Sequence, residues 1–152
     1  MTLSRPAAAM LAVLALVAAG CGGTSKEEYE EQIDEIGTEL DRQFTGIGRE
    51  IQGSGSLRKA APEVDNGAEA LDEAADDLED VEPPDDAQAA HNKIVAGIRT
   101  LANDFRKAAR AAASNDTKAL LELFGNIGAS KGARTIAEAR KDLEDAGYDV
   151  AE

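Results

Sequence analysis

Aromatic residues are scarce: two Tyr, three Phe and no Trp in 152 residues. That leaves little with which to build a surface that stacks bases or sugar rings. There is one histidine, His91, so no histidine pair, catalytic triad or two-histidine metal site can form within one chain. There is one cysteine, Cys21, so no disulfide can form within the chain and no Cys-x-x-Cys-His haem attachment exists. Positive charge is also short, with 16 Lys plus Arg against 30 Asp plus Glu and a net charge of −14. Nucleic acid, whose phosphates would be repelled, is not an expected partner. Adsorption to anionic lipid by charge alone is not expected either.

The abundant carboxylates do not fall into a cation-binding pattern. Neither Asp65-Asn66-Gly67 nor the stretch from Asp72 to Asp86 has Gly at the sixth loop position and Glu at the twelfth, so the EF-hand pattern fails. The residue three before His91 is Gln88, not the Glu of a di-iron bundle. Gly53-Ser54-Gly55-Ser56 lacks the Gly-Lys-Ser/Thr of a phosphate loop. Ser54, Ser56 and Ser114 have no base beside them in the sequence, and no acid pair stands out for proton transfer. The sequence thus predicts no catalytic, metal or cofactor residues. His91 itself reads as a boundary histidine on an apolar helix face, with a pH-sensing or ligand-contact role as the alternative.

What is plentiful is helix-period hydrophobicity. From Lys26 to Gln52, Tyr29, Ile33, Ile36, Leu40, Phe44, Ile47 and Ile51 recur at steps of three and four and share one helix face. A second segment, Leu57 to about Val81, repeats Leu57, Val64, Leu71 and Leu78 every seven residues, with Ala61, Ala68 and Ala75 between them. Pro62 marks its true start or kinks it. Pro83-Pro84 ends it, and Asp85 or Asp86 is expected to cap a third segment reaching about Ala113. The third stripe is Ala87, His91, Ile94, Ile98, Leu101, Phe105, Ala108 and Ala112. A turn at Ser114-Asn115-Asp116 opens a fourth segment, Thr117 to about Ala146, carrying Leu120, Phe124, Ile127, Ile136 and Leu143. Gly125, Gly128 and Gly132 mark where it would break in two. Gly147 is a helix C-cap candidate, after which Tyr148 and Val150 can fold back. Short connections between amphipathic helices predict an all-α, antiparallel up-down-up-down bundle of four helices. A three-helix core with a loosely attached fourth segment is the runner-up.

Charge is partitioned along the chain. Ala60 to Asn92 contains no Lys or Arg but twelve Asp or Glu, whereas Lys93 to Lys118 contains six bases against two acids. An antiparallel second and third helix would set Lys93 and Arg99 near Asp72–Asp80, and Arg106, Lys107 and Arg110 near the start of the second helix. The acidic face is either a solvated flank of that hairpin or a surface for a cationic partner.

The first twenty residues are different in kind. Arg5 is their only charge, and Pro6 to Ala19 is an almost purely apolar run too short to span a bilayer comfortably. Ala18-Ala19-Gly20-Cys21 follows, then Gly22-Gly23-Thr24-Ser25, a polar flexible tether. Ala18-Ala19-Gly20-Cys21 resembles the bacterial lipobox, with Ala18 where Leu is commonest. The resemblance implies a signal peptide over 1–20, cleavage before Cys21 and a diacylglyceryl group on its sulfur. It divides the chain into 1–20, the lipidated Cys21 and tether 21–25, and a helical domain 26–152. Loss of Arg5 would leave the mature chain at −15. The chain as a whole resembles small, alanine-rich, acidic lipoproteins of high-GC bacteria, especially actinobacteria. The resemblance rests on the lipobox, the Gly-Gly-Thr-Ser tether and the helix–Pro-Pro–Asp–helix connection at Glu82-Pro83-Pro84-Asp85. Only the lipobox is specific, and it carries over to Cys21 alone. It implies a protein lipid-anchored to the extracytoplasmic face of the cell membrane. The expected function is a non-enzymatic interaction or scaffold module of the envelope, with a cationic envelope protein as a candidate partner. The alternative is a bundle that holds a small apolar molecule or a cation.

Overall fold

The computed structural model describes residues 24–150. The expected signal peptide and Cys21 lie outside these residues. Five helices follow one another: α1 (Lys26–Gly53), α2 (Leu57–Asp80), α3 (Gln88–Ala113), α4 (Thr117–Gly125) and α5 (Lys131–Asp145). One 3-10 turn, Ile127–Ala129, joins the last two. The described residues contain no strand. The fold is a helical bundle, as the hydrophobic periodicity predicts. The fourth expected helix is broken into α4 and α5, with Gly125 and Gly128 at the break.

Local chemistry sets the helix ends. Ser25, Ser56, Asp116 and Ser130 each place a side-chain oxygen on a first-turn N–H, that of Glu28, Lys59, Ala119 and Ala133 respectively. Of these caps the sequence pattern predicts only the one in the Ser114-Asn115-Asp116 turn. The third helix departs from expectation. Neither Asp85 nor Asp86 caps it, because the Pro84 carbonyl accepts from the N–H groups of Ala87 and Gln88. Asp86 instead accepts a 2.5 Å hydrogen bond from the Tyr148 hydroxyl. At the end of α5, Gly147 adopts φ +88. Its N–H meets the Glu144 carbonyl while the Tyr148 N–H meets that of Leu143, closing a Schellman motif. This turn sends Tyr148 and Val150 back into the core, where both are buried. α2 runs unbroken through Pro62.

α3 is the central helix. Its backbone lies close to those of α2, α4 and α5, whereas the α1 backbone lies close only to α2 and reaches α3 through the side chains of Tyr29 and Phe44, which meet His91 and Phe105. Its burial matches that role: Ile94 and Ile98 lie beside Val95, Ala102 and Ala109, covering more than one face. The α3–α5 contact depends on two glycines. A Cβ on Gly97 would lie 2.6 Å from Ile136 Cγ1, and one on Gly132 would lie 2.7 Å from the Gly97 carbonyl oxygen. Gly132 therefore marks a close backbone approach, not the break in the fourth segment.

The α2–α3 hairpin carries the expected pairing at Arg99, whereas Arg106 meets a carboxylate farther along α2 than the start of that helix. Arg99 reaches Asp76 at 2.8 Å and Glu79 at 2.9 Å, and Arg106 pairs with Asp72. Lys93 and Lys107 do not join them. Lys93 meets Asp142 of α5 at 2.7 Å, and Lys107 meets Asp104 of its own helix. At 100° per residue, position 93 is well off the face that holds 99 and 106 and points toward α5 instead.

Candidate functional site

α1 carries seven large apolar residues on one face, yet only Tyr29 of them is buried. Ile33, Ile36, Leu40, Phe44, Ile47 and Ile51 are all half-buried. The reason is the bundle's open side. α1 and α5 are the two outer helices, and their backbones do not approach one another. Between them lies an apolar groove of about 140 Å³. Ile33, Ile36, Gly37 and Leu40 form one wall, and Ile136 and Arg140 the other. Ala74, Leu78, Ile94 and Ile98 of the inner helices lie between, with Val150 also lining the groove. Gly37 leaves its wall low, since a Cβ there would meet nothing within 4 Å. Arg140 reaches the Val150 carbonyl at 3.5 Å.

The seam is closed at the end where α1 begins. Lys26 donates to the Gly147 carbonyl and stands 5.2 Å over the Tyr148 ring. The Asp149 N–H donates to Glu30 at 2.6 Å. Inside this end, Tyr29, His91 and Tyr148 form an aromatic cluster: Tyr29 meets Tyr148 edge-on at 5.7 Å between centroids and His91 at 5.8 Å. Burial raises the Tyr29 hydroxyl to about 12. Burial and then the hydrogen bond to Asp86 raise Tyr148 to about 12. Burial lowers His91, and a hydrogen bond to the Leu78 backbone partly opposes this. Its Nδ1 faces the Tyr29 hydroxyl at 3.2 Å. Tyr29, His91 and Tyr148 thus tie the start of α1, the start of α3 and the turn after α5 together at this end of the bundle.

His91 thus packs on the apolar stripe as expected, 3% exposed. Among the described residues no three His, Cys, Asp or Glu converge to hold a metal ion. Ser54, Ser56 and Ser114 are engaged locally: Ser54 and Ser114 donate to backbone carbonyls, and Ser56 caps α2. No helix among the described residues is long and apolar enough to cross a membrane.

Two features are not visible in the periodicity. One is the groove, because the α1 stripe alone does not reveal that α5 stands apart from it. The other is α4, where Leu121 and Phe124 are 70% and 42% exposed. Phe124 touches the bundle through Phe105, edge-on at 6.0 Å, so the fourth stripe is not a single buried seam. Comparison with protein-family models, curated proteins and solved structures finds no match.

Proposed function

We propose that this chain is a non-enzymatic, membrane-anchored lipoprotein of the extracytoplasmic face, and that its helical bundle is an interaction module of the cell envelope. The observation that carries this reading is Ala18-Ala19-Gly20-Cys21 placed immediately before a short polar tether and the Ser25 cap of α1. Cys21 precedes α1 in the sequence by the tether Gly22-Gly23-Thr24-Ser25 alone. One acyl chain holds a protein only marginally, whereas two or more hold it stably, so diacylglyceryl modification is sufficient for anchorage. Replacing Cys21 with Ser should release the protein from washed membranes into the soluble fraction. Retention of the variant in membranes after a high-salt wash would count against the reading.

A second reading, a bundle that holds a small apolar molecule, is favoured by the groove between α1 and α5. Its apolar walls suit such a ligand, although its polar groups are few and one side is open. Saturable, stoichiometric uptake of a small apolar dye, lost on filling the groove, would favour that reading.

A further inference from the structure

We propose that α1 is a hinged helix that opens from the rest of the bundle about the loop 53–56, and that the turn 147–150 is the latch that holds its first turn shut. The proposal goes beyond the envelope-module reading and stands whether or not Cys21 carries lipid. α1 is the least embedded of the three long helices. It buries one residue, Tyr29, where α3 buries eleven. Its backbone lies close only to that of α2, and the rest of its apolar stripe is already half-exposed. Opening therefore costs less apolar burial at α1 than at α3, and segments with few buried contacts are the ones that open locally. The loop that acts as hinge is short and carries Gly55 at φ +70.

Two sets of contacts act on α1 in opposite directions. At its first turn the latch grips it. Lys26 donates to the Gly147 carbonyl and stands over the Tyr148 ring, Glu30 accepts from the Asp149 N–H, and the Tyr29 ring meets that of Tyr148. The latch itself is fixed on the other side of the seam, by the Tyr148 hydroxyl on Asp86 and by the turn that ends α5. Farther along, α1 and α2 border a concavity lined by Glu50 of α1 and by Glu63, Glu69 and Glu73 of α2, with no Lys or Arg among its lining residues. None of these four carboxylates makes an ion pair among the described residues. Like charges set across one concavity oppose the α1–α2 contact. α1 is thus held at the latch and repelled nearer the hinge.

The test is amide hydrogen exchange of the full chain, read by mass spectrometry on peptides from α1 and α3. With intrinsic rates divided out, residues 29–44 should exchange about ten-fold faster than 94–108, or more. Lys26→Ala combined with Glu30→Ala removes two grips of the latch and touches no buried side chain. It should speed exchange in α1 by about ten-fold and leave α3 unchanged. Lys93→Ala breaks the exposed ion pair with Asp142, away from the latch, and should leave α1 as it is. Glu69→Gln combined with Glu73→Gln relieves the repulsion and should slow exchange in α1. Exchange of α1 and α3 at one common rate would show that α1 leaves only in global unfolding and would overturn the proposal. So would a Lys26 and Glu30 variant that leaves α1 unchanged or speeds α3 equally, a Lys93→Ala effect on α1 of the same size, or faster exchange in the Gln pair. Membrane retention of Cys21→Ser would defeat the anchoring reading and leave these exchange results standing.

Discussion

The Tyr29 hydroxyl lies 3.2 Å from His91 Nδ1, joining the first turn of α1 to the first turn of α3 in the buried end of the bundle. Both groups are buried, so the contact is shielded from water. Tyr29→Phe keeps the ring and removes the hydroxyl, leaving Nδ1 buried without that partner. A loss of about 1–3 kcal/mol is expected. Urea unfolding of Tyr29→Phe against wild type measures it, and an unchanged midpoint would show that the contact does not contribute.

The same contact predicts an acid sensitivity. Burial holds His91 below its ordinary value in the folded state, whereas the unfolded chain takes up a proton near pH 6.5. Between the two values the unfolded state binds more protons, so stability rises with pH in that window. The contribution is complete above about pH 6.5 and is lost as pH falls toward the folded-state value. As the only histidine, His91 gives a single ring resonance, and its NMR titration midpoint should fall below that of an exposed histidine. The raised tyrosines act on the alkaline side. Stability from Tyr29 and Tyr148 is complete below pH 10 and is lost as pH rises toward about 12.

Gly97→Ala should be among the most damaging single-methyl additions in the chain. Its Cβ would lie 2.6 Å from Ile136 and 3.0 Å from the Gly132 carbonyl oxygen. Ile136 can rotate away, but the backbone of α5 cannot move without opening the α3–α5 contact. Overpacking of this kind costs about 1–3 kcal/mol. Gly46→Ala, at a site with nothing within 4 Å of the added Cβ, should be neutral or slightly stabilising through helix propensity. Thermal unfolding of the two variants side by side checks the contrast.

The loop at Gly53-Ser54-Gly55-Ser56, the stop at Pro83-Pro84 and the turn at Ser114-Asn115-Asp116 are legible in the sequence because they act locally, on the backbone beside them, whereas Ser25 reads only as tether until its side chain meets the Glu28 N–H. The break between α4 and α5 is legible for the same reason, through Gly125 and Gly128. What depends on where helices stand in space is not. Gly97 reads as one more helix residue until Gly132 is placed against it. Asp86 reads as a helix cap until the Gly147 turn brings Tyr148 to it. The groove is invisible because Ile33, Ile36 and Leu40 form the same stripe whether or not a fourth wall covers them.

The hairpin charges give a further test. Arg99 and Arg106 meet α2 carboxylates across the helix pair, whereas Lys131 and Arg134 make no ion pair among the described residues. Replacing Arg99 and Arg106 with Glu adds like charge to a helix that already repels itself. It should lower the Tm by several degrees more than Glu at Lys131 and Arg134. Raising salt should shrink the gap, since exposed charges are screened over about 10 Å at 0.1 M. Equal Tm values at low salt would show that the pairing does not select the hairpin.

The central claim is that Cys21 becomes the lipid-bearing first residue of a membrane-anchored bundle. Intact-mass spectrometry of the protein extracted from its own membranes tests it most directly. The account predicts a chain that begins at Cys21, heavier than residues 21–152 by a diacylglyceryl group, with the added mass localised to that cysteine on fragmentation. An unlipidated chain that retains residues 1–20, or a chain cleaved elsewhere with an unmodified Cys21, would contradict it.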